Sequence, residues 1–92
     1  SPAAEERARP EAPRPTATDA ARQRQARKDL ARVESQLAKA GERIEALHAE
    51  LGAHAADYEK LVALGAELDE AVARQEALEE QWLTLAEQLG DP

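Results

Sequence analysis

Apolar residues recur through the first half of the chain at Ala26, Leu30, Val33, Leu37, Ala40, Ile44, Leu47 and Leu51, in steps of 4, 3, 4, 3, 4, 3 and 4. One apolar position every 3.5 residues keeps a single stripe of an α-helix turned toward a partner helix, which a strand with its period of two cannot do. Leu30, Leu37, Ile44 and Leu51 take the a positions of the heptad, and Ala26, Val33, Ala40 and Leu47 take d. A second run carries its own stripe of Leu61, Leu64, Leu68, Ala71, Gln75, Leu78, Trp82, Leu85 and Leu89, again in steps of 3 and 4. Only the stretch His54-Ala55-Ala56-Asp57-Tyr58-Glu59-Lys60-Leu61 joins them. Two heptad helices joined so briefly fold back on each other, so the fold class is all-α, an antiparallel two-helix coiled-coil hairpin preceded by a disordered linker.

The composition agrees with a thin seam. Hydrophobic residues make up 42% of the 92, but Ala dominates them, Phe and Met are absent, and there is one Trp and one Tyr. Such a chain fills the space between helices rather than a thick globular interior, and its length allows one small domain. With no Cys, disulfides and thiolate metal sites are excluded. No apolar run approaches the roughly 20 residues of a membrane span, and the N-terminus lacks the apolar region of a signal peptide, so the chain reads as soluble. The absence of Met, including at position 1, suggests a segment of a longer or processed protein.

Residues 1–18 hold Pro2, Pro10, Pro13 and Pro15 among Ala, Glu, Arg and Thr, with no apolar stripe. A segment of this kind buries too little to offset its ordering entropy and reads as a disordered linker. The hairpin is expected over 19–91, with helix 1 about 19–51, a turn about 52–56 and helix 2 about 57–89. Asp19 is a suitable N-cap for the first helix, Gly52 offers a left-handed residue to end it, and Asp57 can cap the second with Glu59 in its first turn. Gly90-Asp91-Pro92 ends the second helix.

Antiparallel pairing places a opposite d, which allows partners whose numbers sum to 108 or to 115. At 108, Ile44 meets Leu64, Leu37 meets Ala71 and Ala26 meets Trp82, while Arg27 falls near Glu79, Arg43 near Glu67 and Glu50 near Lys60. At 115, Glu34 would oppose Glu79, Glu50 would oppose Glu67 and Arg43 would oppose Arg74, all like-signed. The signs favour 108, with the hinge centred on His54, although each exposed pair is worth no more than ~1 kcal/mol.

Catalytic signatures are missing. There is no phosphate-binding glycine loop, no H-E-x-x-H and no Cys nucleophile, and the nineteen carboxylates fall on solvated helix faces. His48 and His54 project about 120° apart on a continuous helix and do not form a metal pair. Trp82 belongs to the seam, and Tyr58 is expected to pack under the turn. Val62 and Leu83 lie outside both seams.

Charge is unevenly spread. Residues 1–32 carry eight Lys/Arg against five Asp/Glu, whereas residues 33–92 carry four against fourteen. Arg24, Arg27, Lys28 and Arg32 fall within about a 140° arc turned away from the seam, with Arg22 at its flank. Outward cations of this kind can contact phosphates; the same residues also make an ordinary solvated face beside Asp29, Glu79 and Glu87.

An Ala/Pro/Arg linker, then "ARQRQARKDLARVESQLAKAGERIEALHAEL", then "ADYEKL" and finally "ALEEQWLTLAEQL" follow in an order that resembles the C-terminal coiled-coil domain of ABC-F ATPases of the Uup type, over about residues 16–89. The resemblance implies a non-catalytic appendage of a cytoplasmic ATPase, with ATP and Mg held by the parent's ATPase domains and no cofactor in this chain. It implies DNA or ribosomal RNA as partner, with the ATPase domains of the same protein as a further partner and no membrane; the outward cations Arg22, Arg24, Arg27, Lys28 and Arg32 are the residues expected to carry the nucleic-acid contact. The alternative is a structural coiled coil that self-associates or braces the ATPase domains without touching nucleic acid. Since the seam is satisfied within one chain, a monomeric hairpin is expected. The acidic body from Val33 onward is a poor surface for a polyanion.

Overall fold

The computed structural model describes residues 16–90, and these form two helices, α1 (Ala17–Ala53) and α2 (Tyr58–Gln88). α1 has 37 residues, which at 1.5 Å each gives a rod of about 55 Å. α2 folds back antiparallel along it, and the fold is an all-α hairpin. No described helix is long and apolar enough to cross a membrane. Residues 1–15, which hold most of the expected linker, lie outside the described residues.

α1 starts two residues earlier than Asp19 suggests, because a better cap precedes it. Thr16 is the N-cap: its hydroxyl accepts from the Asp19 amide at 3.1 Å, and the Asp19 carboxylate accepts from the Thr16 amide at 3.1 Å. This reciprocal pair satisfies two of the amides that a helix N-terminus leaves without partners. Asp19 therefore caps from the third helical position.

The end of α1 also differs from expectation. Gly52 is helical and does not take the left-handed conformation; among the described residues only Gly90, with φ 71°, has a positive φ. His54 closes the helix instead, its amide donating to the Glu50 carbonyl at 3.0 Å. The turn is thus His54–Asp57, about two residues later than expected. Its closure comes from the Asp57 amide, which donates to the His54 carbonyl at 2.9 Å. Asp57 is the N-cap of α2, accepting from the Lys60 amide at 3.1 Å, and Glu59 sits in the first turn where the helix dipole favours a negative charge.

Every residue of both stripes is buried or half-buried. The most buried are Ala26, Val33 and Leu47 from α1 and Leu64, Leu78 and Ala86 from α2. All but Ala86 occupy d positions. The seam is only one side chain wide, so every a residue keeps an edge in water, as do Ala40, Ala71 and Leu85 among the d residues. Ala86 lies beside the stripe, a position that sequence periodicity alone passes over.

One ion pair crosses between the helices among the described residues, Arg43 with Glu67 at 3.8 Å. It is one of the three pairs expected, near the turn; because the turn centres between Ala55 and Ala56 rather than on His54, the numbers of facing residues sum to about 111 instead of the expected 108. Arg27 with Glu79 and Glu50 with Lys60 do not form. At the open end the Trp82 indole N–H donates to Glu34 at 3.2 Å, and Glu34 is two helical turns nearer the hinge than Ala26, the expected partner. Side chains lean toward the N-terminus of their own helix, so in an antiparallel pair Trp82 leans toward the hinge while Glu34 leans away from it. The two tips thus approach each other along the rod.

Candidate nucleic-acid interface

Arg22, Arg24, Arg27, Lys28 and Arg32 all lie in the first half of α1, and all five are exposed. Their placement follows from the seam: once Ala26, Leu30 and Val33 face α2, residues at 24, 27, 28 and 32 must point outward. Among the described residues, only Arg32 of the five makes an ion pair, at 3.9 Å from Asp29, and it also donates to Gln36 at 3.4 Å. Both contacts are within one helix and leave the Arg32 side chain 55% exposed. Asp29 is further engaged by Gln25, which donates to it at 3.0 Å.

The surroundings of the arc are mixed in sign. An open cleft of about 500 Å³ joins Asp29 and Arg32 to Glu80, Gln81 and Thr84 of α2. A second cleft, about 470 Å³, is lined by Arg27, Leu30, Ala31, Glu34 and Leu89. The antiparallel fold therefore sets α2 carboxylates beside the cations of α1. The Asp19 pKa is held below the ordinary carboxylate value chiefly by the Thr16 amide, then by the Thr16 hydroxyl, with the nearby Arg22 adding to this and desolvation opposing it.

Among the described residues, no group of three or more His, Cys, Asp or Glu side chains is arranged to hold a metal ion. Tyr58 does not pack under the turn: it is the first residue of α2 and is 78% exposed. On α2 its position falls some 120° from the seam, the side turned away from α1.

The geometry is that of a rod with its apolar stripes packed together and its charged side chains on the flanks. The sequence profile of the ABC transporter C-terminal domain matches residues 21–87, which span nearly all of both helices and the turn. The chain belongs to that family. No curated protein and no solved structure matches it. In this ABC transporter C-terminal domain, Arg22, Arg24, Arg27, Lys28 and Arg32 all lie inside the matched residues.

Proposed function

We propose that this ABC transporter C-terminal domain is the non-catalytic appendage of an ABC-F ATPase and contacts nucleic acid, DNA or ribosomal RNA, through Arg22, Arg24, Arg27, Lys28 and Arg32. The observation that supports the reading is the exposure of all five cations, with Arg24, Arg27, Lys28 and Arg32 on the side of α1 turned away from the seam and Arg22 at its flank. Guanidinium and ammonium groups so placed reach phosphates without disturbing the packed interface. The acidic residues of α2 beside them confine contact to one side of the rod and keep it weak.

The test is a titration of the chain against duplex DNA and structured RNA at two salt concentrations, repeated with Arg24→Gln, Lys28→Gln and Arg32→Gln combined. Each phosphate contact adds about 0.9 to the salt slope on duplex DNA, so losing three should flatten it by nearly three while helicity is kept. Equal binding and equal slope in the triple variant would remove the arc from consideration. Binding to neither nucleic acid would leave the bracing role.

A further inference from the structure

The large apolar side chains that the fold leaves in water are not scattered. Among the described residues they are Tyr58, Val62 and Leu83, at 78%, 56% and 55% exposure, and all three belong to α2. At 100° per residue they fall within about 60° of one another, on a side of α2 some 120° from its seam. Chance exposure of single apolar residues is ordinary, but it has no reason to align along one helix.

The charges on the same strip are of one sign. Asp69, Glu76, Glu80 and Glu87 lie within that arc and are exposed, whereas the only cations of α2, Lys60 and Arg74, point more than about 100° away. Carboxylates so placed exclude nucleic acid and anionic lipid. A second copy fits no better: α2 against α2 sets acids against acids, and α1 exposes no large apolar residue with which to meet the strip.

We propose that this side of α2 docks a basic amphipathic helix of a partner protein, whose apolar residues cover Tyr58, Val62 and Leu83 while its Lys and Arg pair with Asp69, Glu76, Glu80 and Glu87. Helix-on-helix packing matches the straight, narrow form of the strip, and anchors spaced along two or more turns are how such helices are held. Gly65 falls on the same side, one turn beyond Val62, with open space where a Cβ would stand, so no side chain crowds the strip next to Val62. The strip meets the cationic arc of α1 at Glu80, which lines a cleft with Arg32, whereas Tyr58, Val62, Asp69, Glu76 and Leu83 do not line that cleft.

The probe is a designed helical peptide with one Leu/Ala face flanked by Lys, set against a twin flanked by Glu, each added to the isotope-labelled 92-residue chain and followed by amide NMR. The Lys peptide should shift amides along the Tyr58–Leu83 side of α2 and the Glu peptide should not. Val62→Gln with Leu83→Gln should weaken binding about tenfold, and Glu76→Gln with Glu80→Gln should weaken it to a similar degree. Both pairs are exposed helix positions, so the hairpin remains folded. Binding unchanged by Val62→Gln with Leu83→Gln would mean charge attraction alone and would overturn the proposal. So would shifts confined to α1, no shifts with either peptide, or a dimer in sedimentation that the same pair of substitutions abolishes.

Discussion

The indole N–H of Trp82 donates to Oε1 of Glu34 across 3.2 Å, joining residues 48 positions apart in the chain. The contact ties the open end of the hairpin, where no turn holds the helices together. Trp82 is half-buried, so its ring fills the seam while its nitrogen remains at the edge, and the carboxylate satisfies it. Trp82→Phe keeps most of the apolar contact and removes the donor, and it should cost about 1 kcal/mol in chemical denaturation. In a double-mutant cycle with Glu34→Ala, the coupling should fall mainly on amides at the open end, measured by exchange rather than by global melting alone.

Core and surface leucines should separate cleanly. Leu47 is fully buried and Leu83 is more than half exposed. Leu47→Ala should lower stability by about 2–5 kcal/mol, enough to unfold much of so small a hairpin. Leu83→Ala should change it by no more than about 0.5 kcal/mol, and urea titrations of the two variants compare them directly.

Gly41 and Gly65 lie inside continuous helix, half-buried, one in each arm, and a Cβ at either would meet nothing within 4 Å. Close packing therefore does not require glycine at these positions. Each costs about 1 kcal/mol relative to Ala, so Gly41→Ala with Gly65→Ala should raise the melting temperature. In the parent, amide protection should dip around both glycines relative to the residues on either side, and the double variant should remove the dip. Uniform protection in the parent would show that the arm has no soft joint.

Acid should loosen the start of α1. The Asp19 pKa is lowered in the folded chain, so the capping pair contributes fully above the unfolded value of about 3.9 and is lost as pH falls through the folded one. Amide protection at residues 17–20, taken relative to the intrinsic exchange rate at each pH, should fall on acidification below about pH 4, while Asp19→Asn should flatten that response. Thr16→Ala should destabilise the helix by about 1 kcal/mol at neutral pH.

The seam was legible because burial in a two-helix rod depends on one periodicity, and every stripe residue from Ala26 to Leu89 is at least half-buried. The helix ends were less so. Gly52 carried the composition of a terminator, but His54 could still reach the Glu50 carbonyl with ordinary backbone angles, so hydrogen bonding outweighed composition. Thr16 followed by Asp19 three residues later is a capping box with Asp in place of the usual Glu or Gln, a signal present in the sequence. Trp82 with Glu34 was out of reach of layer counting, because the contact depends on how far two long side chains lean. The cationic arc was legible from angle alone, whereas its acidic neighbours across the cleft follow from the antiparallel fold.

At the open end the hairpin carries cations on the outer side of α1 and carboxylates on the outer side of α2, only one helix pair apart. A rod with such a transverse dipole has a preferred roll angle in an external field. Beside a polyanion, α1 turns inward and α2 turns to face the opposite direction, so the charge pattern sets the azimuth of Tyr58, Val62 and Leu83 before any of them touches anything.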